Sequence, residues 1–578
     1  MTLRRLLPPL LLLAFYWPSL TGWFFQDDFG WLRLRQDVHS VADLPAALFA
    51  PKAHGNMRPL GENLYWLAIG GVFGVRALPF RIVTFATQIA SLFLLGAIAG
   101  RLAKSPLATF AAQLLWIASC GLAPSLGWSS IYNQVLSGFF FLLGFYFLLR
   151  HVDTGEPRWW RAQWIAFILG LGALETNVVY PVLAALYALF FFRPLLKKTI
   201  PLFAVAALSC AVHFHFAPAP HAGPYSPRID ARIISTLWTY WFWALGRMPL
   251  ALAVTVTLAA AAFALRRATR RDYVPAFALA WFVITLGPYL PLPDHKMDYY
   301  LAVPSIGIAL LGASAVAAAP HARMPAKLVA ATCLLCYLAF SGRAAWAVTR
   351  WQHDRGLRVE DFVTSVEEIR RTHPGKAILL DGMDDDLFWS ALANLPFHAL
   401  DIPEVFLAPD GVRNIDAPAD FLNEFVLPPE LTLRVLRRDD AVVYRFDRDA
   451  LRDETTRYRE HAEANFPSGT PRFINIGDPI FAEFLGPGWG PATRGYRTMP
   501  HTATIRIAAG RTLLLGIIDT RRIDLRLTVD DIEVPLSLVS RENDLTVLTA
   551  ALPPSASADI TLTLSNPVTL TWGFAEVR

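Results

Sequence analysis

The sequence predicts an α-helical polytopic membrane protein that carries a C-terminal extramembrane α/β segment and a β-sandwich. Three observations lead there. Of the 578 residues, 54% are hydrophobic and only 17% charged, where soluble domains carry roughly 25% charged residues. The mean hydropathy is +0.38, and the 39 Phe and 18 Trp suit a hydrocarbon core and its interfaces. The apolar residues are gathered into long runs up to about residue 346, after which ordinary charge density returns.

A hydrocarbon core ~30 Å thick asks for about 20 apolar residues per helix, and about eleven stretches meet it. They lie near 5–25, 78–100, 106–123, 131–149, 162–174, 177–192, 199–216, 248–265, 273–290, 299–319 and 327–345. Arg4 and Arg5 precede the first, as in a signal peptide, but no small-residue cleavage site stands before Phe24-Phe25-Gln26. A retained helix is therefore expected. Cytoplasmic loops hold the Lys and Arg of a membrane protein. Arg101 and Lys104, then Arg150, Arg158 and Arg161, then Arg193, Lys197 and Lys198, then 266–271, then Arg323 and Lys327 fall in alternate loops. The expected topology is an integral, multi-pass plasma-membrane protein with a cytoplasmic N-terminus. An odd number of spans places everything after about residue 346 outside.

The net charge of +5 and pI near 9.0 do not make this a nucleic-acid binder, because the cations sit in short loops and no recognition motif is present. All four cysteines, Cys120, Cys210, Cys333 and Cys336, lie in apolar runs and form neither a disulfide framework nor a zinc site. His213 and His215, two apart on a helix, diverge and read as structural. Glycine-rich phosphate loops are lacking.

Beyond the spans, 351–465 reads as an α/β segment, with a helical run, a strand at 376–380, a helix near 387–399 and a strand at 404–407. From 466 to 578 short alternating runs at 502–508, 512–518, 523–528 and 559–564 predict a β-sandwich. Asp384-Asp385-Asp386 lacks the spaced oxygen ligands and glycine of a calcium loop and reads as a solvated turn.

Nearly every polar constellation falls in the loops assigned to the outside. Asp27 and Asp28 follow the first span at once. Adjacent carboxylates beside a bilayer repel and lose hydration, so one titrates high and can take a proton from an acceptor hydroxyl or amine. Taken alone, the pair is equally a solvated loop. Arg58-Pro59-Leu60 offers a guanidinium for bidentate phosphate binding, or a lipid headgroup contact. Glu175 is a functional carboxylate or a polar helix end. In 287–307, prolines break a helix before His295, Lys296, Asp298, Tyr299 and Tyr300. Lys296 there would neutralise a lipid phosphate, and the tyrosines would lie along an isoprenoid or a sugar, or serve as an interfacial aromatic belt.

As an ordered set, these motifs resemble the GT-C superfamily of integral-membrane glycosyltransferases, which includes protein O-mannosyltransferases, aminoarabinose transferases and bacterial relatives of the transmembrane tetratricopeptide mannosyltransferases. The order is Asp27-Asp28, Arg58-Pro59-Leu60, Glu175 ahead of Pro181, and Asp298-Tyr299-Tyr300-Leu301-Ala302-Val303-Pro304-Ser305-Ile306-Gly307, across about residues 1–350. The resemblance implies inverting transfer of a sugar from a polyprenyl-phosphate carrier on the outer leaflet. Asp27 would be the general base, with Asp28 beside it. Arg58, Lys296 and Arg228 would hold the donor phosphate, and Glu175, His295, Tyr299 and Tyr300 would line the substrate. The partners implied are the bilayer, the carrier-linked sugar and an acceptor of unstated class. The resemblance points to no particular cofactor, and a divalent cation is left open. The chain departs from the pattern at Leu174, where a basic residue is usual, and no tetratricopeptide repeats follow. Gly488-Trp489-Gly490-Pro491 with Arg497 looks like the entry of β-sandwich modules appended to bacterial sugar transferases, with Met499 in place of the expected Trp. Two other classes fit a polytopic chain. A lipid-linked-sugar transporter would place charges or helix breaks at mid-membrane in repeated halves, and few such charges occur. An assembly protein of cell-envelope glycan synthesis would tolerate loss of both aspartates.

Overall fold

The computed structural model describes residues 3–52, 55–220, 223–447, 450–493, 495–518, 523–542, 545–555 and 557–578. The chain divides into two compact units, 1–357 and 358–578, and the division falls within the long helix Met324–Thr372.

In the first unit a helix coincides with every expected apolar stretch. Among the described residues five are long and apolar enough by themselves to cross a membrane: Ala77–Ala103, Ser129–Thr154, Arg193–Phe216, Leu250–Ala268 and Met324–Thr372. The rest are shorter, among them Leu6–Phe15, Pro106–Ile117, Val274–Tyr289 and Ser305–His321. Two expectations need correction in detail. The run 5–25 is not one helix, because Leu3–Phe15 gives way to a separate turn Trp17–Thr21 that begins with Pro18. Proline has no N–H for a preceding turn and disfavours helix in the residue before it. The region between 217 and 247, read as an outer loop, contains the helix Arg232–Ala244. Thr236 and Thr239 interrupt its apolar pattern, which is why the hydropathy of the sequence does not betray it.

Helix Tyr132–Thr154 packs on Pro157–Ala173 and Ala77–Ala103, while Ser305–Ala318 packs on Pro106–Ile117 and Val274–Leu286. Close approach depends on small residues, as it does between helices in lipid. A Cβ on Gly307 would lie 2.5 Å from the carbonyl oxygen of Ala278.

In the second unit the strand Ala377–Asp381 lies parallel to both Val405–Leu407 and Ala441–Asp447, and Ala450–Asp453 adds an antiparallel edge. Two antiparallel sheets follow. One orders Ile532–Val534, Arg526–Val529, Asp559–Ser565 and Thr502–Ala508. The other runs from Ser537–Glu542 through Leu545–Ala551, Thr512–Ile518 and Leu570–Val577 to Tyr496–Met499 and Ala492–Thr493. Alternate residues such as Ile505, Ile507, Leu513, Leu515, Leu562 and Leu564 are buried, the period-two pattern of a strand with one inward face. Leu379 and Val443 of the α/β part belong to the same buried cluster as these residues. Asp384 is not merely a solvated turn: it caps a helix by accepting from the Leu387 amide at 2.9 Å and pairs with Arg358. Trp489 and Arg497 serve the fold, donating to the carbonyls of Thr504 and Ile476 at 2.9 and 2.8 Å, and Met499 is fully buried.

Candidate active site

Five segments assigned to one face by the charge pattern meet at one end of the first unit. They are the turn 22–32, the turn Pro59–Leu64, the entry to helix Tyr132–Thr154, the segment Glu175–Val179, and the loop 287–304. Hydrogen bonds tie them together in pairs.

The first pair begins with Asp28, which is fully buried. Its carboxylate accepts from the Ser130 amide at 2.8 Å, the Ser130 hydroxyl at 2.6 Å and the Phe25 amide at 3.3 Å. Burial raises its carboxyl to about 6, against the opposing pull of the Arg81 charge and the Ser130 hydrogen bond. Arg81 is itself buried and donates to the Trp23 carbonyl at 3.0 Å. Between Phe25 and Asp27 the chain turns through a left-handed Gln26, φ +55°, a conformation that costs energy for a residue with a Cβ and that clusters at functional sites. The turn lifts Asp27 outward. Its side chain is exposed yet closely surrounded by protein, which raises its carboxyl above the usual range. Among the described residues no side chain hydrogen-bonds to it. Asp27 is thus the available carboxylate and Asp28 the fixed one.

The second knot is Arg58. Its guanidinium donates to both oxygens of Glu175, from Nε at 2.7 Å and from Nη2 at 2.6 Å, and from Nη1 to Glu62 at 2.5 Å. Glu62 in turn accepts from Asn133 at 2.7 Å. Burial raises Glu175, but the Arg58 charge and the hydrogen bonds the carboxylate accepts together outweigh it and hold the carboxyl below its ordinary value. Burial prevails at Glu62, whose carboxyl is raised despite the same arginine. The turn Pro59–Leu64 that carries Glu62 is π-helical, a rare form frequent at functional sites. It can sit this close only because residue 61 is glycine: a Cβ there would lie 2.2 Å from the Ala173 carbonyl oxygen. Leu174, where a basic residue was expected, is buried, so the cation beside Glu175 comes from Arg58.

The third group is aromatic. Tyr289 stacks on Tyr300 at 3.8 Å, Tyr300 meets Tyr299 edge-on at 4.7 Å, and His295 lies against Tyr225 at 4.1 Å. Gln134 donates to the Tyr289 hydroxyl at 3.2 Å, joining this group to the helix that holds Asn133. Trp128 stacks on Phe25 and meets Tyr299 edge-on at 6.1 Å. Tyr225 and Tyr299 both lie within electrostatic range of Asp27. Burial lowers the His295 imidazole. The loop cations differ in their surroundings. Arg228 pairs with Asp294 at 3.3 Å. Lys296 donates to the Pro293 carbonyl and has no carboxylate partner among the described residues. No group of three or more His, Cys, Asp or Glu side chains is placed to hold a metal ion among the described residues.

Sequence reasoning missed Glu62 and Arg247; Ser130, Asn133 and Tyr225 fall in the polar loops it assigned to the outside, but it gave them no role in the site. Glu62 stands four residues after Arg58, the spacing of neighbours on a helix, and that was a signal. Arg247 follows Gly246 in a left-handed turn, lies over the Trp243 ring at 4.9 Å and acts on Asp298; a single arginine in a short loop gives no such warning.

No protein-family model matches the chain, and no curated protein matches it. Among solved structures it is similar to ArnT from Cupriavidus metallidurans bound to undecaprenyl phosphate, at 14% identity and a TM-score of 0.41, over 76% of this chain and 93% of that one. It is also similar to the arabinosyltransferase EmbB from Mycobacterium smegmatis, at 11% identity and a TM-score of 0.32, over 99% of this chain and 65% of that one.

Proposed function

We propose that this chain is a GT-C type membrane glycosyltransferase that moves a sugar from a polyprenyl-phosphate carrier to an acceptor on the extracytoplasmic face, with inversion at the anomeric carbon. The observation that carries the reading is the unequal pair of aspartates: Asp28 locked in by three hydrogen bonds, Asp27 raised on a strained turn with no side-chain hydrogen bond to its carboxylate among the described residues. In the reaction the acceptor hydroxyl or amine loses its proton to Asp27 and its lone pair forms the new bond to the anomeric carbon. The bond from that carbon to the phosphate oxygen breaks, and the electron pair leaves with polyprenyl phosphate. Asp28 acts as a positioning residue that holds the Gln26 turn.

Lys296, Arg58 and Arg228 are the cations assigned to the phosphate. Lys296 meets it without displacing a carboxylate, whereas Arg58 has to exchange Glu175 for it. Glu175 then keeps the guanidinium oriented while the site is empty. Tyr299, Tyr300 and His295 give the sugar and the first isoprene units flat, partly polar surfaces.

The test is direct. Purified protein incubated with polyprenyl-phosphate sugars and an extract of envelope acceptors should release free polyprenyl phosphate and give a product of opposite anomeric configuration. A deletion strain should lack one surface glycan. Intact donor throughout, together with unchanged glycans in the deletion strain, would favour the assembly-protein reading.

A further inference from the structure

At the opposite end of the same helices lies a cavity of about 410 Å³ that the catalytic reading does not use, walled by His151, Trp160, Trp164, Lys198 and Pro201. Asn133 of the candidate active site lies in the first turn of the helix Tyr132–Thr154 and His151 in its last. At 1.5 Å per residue the two ends are roughly 30 Å apart, about one hydrocarbon thickness. We infer that this cavity seats the phosphate headgroup of an anionic membrane phospholipid in the leaflet opposite the active site; the inference rests on these helices spanning a bilayer, not on the transfer reaction.

Three features point to that ligand. The first is charge. The two loops that frame the cavity, 150–161 and 193–198, contain Arg150, Arg158, Arg161, Arg193, Lys197 and Lys198 against only Asp153 and Glu156. Both acids are already engaged, Asp153 with Arg101 and Glu156 with Arg158. Lys198 is exposed and has no acidic partner among the described residues. Basic pockets between spanning helices on the cytoplasmic side are the usual seat of acidic headgroups.

The second feature is the wall. Trp160 and Trp164 stand four apart on helix Pro157–Ala173, on one face. The His151 ring lies 5.5 Å from Trp160 and donates from Nδ1 to the Glu156 carbonyl, which fixes it at the rim. Indoles at this depth match the glycerol region of a lipid, apolar on one side and wet on the other. The third feature is what continues the face: one further turn along, Ile168 is 53% exposed, and Ile200 beside Pro201 is 64% exposed. An acyl chain leaving the headgroup would cover them. A soluble phosphate has no use for that surface.

The experiment is lipid retention by the full-length protein in detergent, read by native mass spectrometry after addition of phosphatidylglycerol or phosphatidylcholine. Wild type should retain phosphatidylglycerol in preference to phosphatidylcholine, and Lys198→Ala should retain about fivefold less, the worth of one cation near an anionic lipid. Lys198→Arg and Lys104→Ala, the latter a cation at the same end but outside the cavity, should match wild type. Trp164→Leu gives a second reading that leaves the charge untouched and should also reduce retention. Equal retention of the two lipids by wild type, or undiminished retention in Lys198→Ala, overturns the assignment. So does retention of polyprenyl phosphate that depends on Lys198 when phosphatidylglycerol retention does not, since the occupant is then the carrier lipid. No sugar transfer is measured, so failure here is distinct from failure of the Asp27 proposal.

Discussion

At residue scale, the site turns on which charged groups are already satisfied. Asp28 and Arg58 are saturated; Asp27 and Lys296 are not. Lys296→Ala should therefore raise the KM for the lipid-phosphate donor at least about tenfold, from the loss of one charge-assisted contact of roughly 1.5–3 kcal/mol. Arg228→Ala, which removes a cation already paired with Asp294, should change it less. Donor-saturation kinetics with the two variants side by side check this, and equal effects would remove Lys296 from the phosphate site. The pH profile follows from the same geometry. A general base works ionised, and burial raises both Asp27 and Asp28, the latter to about 6. Activity should thus rise with pH through an acid limb above the ordinary carboxylate range and toward about 6. The adjacent pair titrates as a unit. An acid limb at an unperturbed carboxylate value would mean that the base is a solvated group elsewhere. Asp27, Arg58, Glu175 and Lys296 are legible in the sequence as types in order. Their bonding is not, because Arg58 and Glu175 meet across 117 positions, and no local pattern reports that.

At the scale of elements, the turn Pro59–Leu64 sets the position of both Arg58 and Glu62. Gly61→Ala would force its Cβ against the Ala173 carbonyl. Such overpacking costs typically about 1–3 kcal/mol, and here it also shifts Glu62 away from Asn133. The expected outcome is a lower melting temperature in detergent together with weakened donor binding. A stable, fully active Gly61→Ala protein would show that the turn does not hold the site. Apolar length in the sequence marks helices well, as at 78–100 and 131–149. It fails where a few residues decide: Pro18 divides the first run, and the amphipathic Arg232–Ala244 hides among threonines. The strand 502–508 is legible because its buried alternation is uninterrupted, and 512–518 because it is a short apolar run. The strand Arg526–Val529 begins three residues after its expected start at 523, its run being short and weakly apolar.

For the whole molecule, the alternating cationic loops predict an inside and an outside. Cysteine introduced at Ala268 should resist an impermeant thiol reagent in intact cells, and cysteine at Val568, 43% exposed, should react. The reverse pattern would place Asp27 on the cytoplasmic side and end the proposal of an outer-leaflet donor. The central claim is that one carboxylate drives sugar transfer, and the most direct measurement compares Asp27→Asn with Asp28→Asn in the full-length protein. Both variants should be made at equal expression and read by the initial rate of transfer from a polyprenyl-phosphate sugar. Removal of a general base costs about 10²–10⁴ in rate, so Asp27→Asn should lose that much while donor binding survives. Asp28→Asn should lose less and should also lose stability, since asparagine cannot repeat the charged acceptance of the Ser130 and Phe25 hydrogen bonds. Wild-type transfer by Asp27→Asn would contradict the account outright.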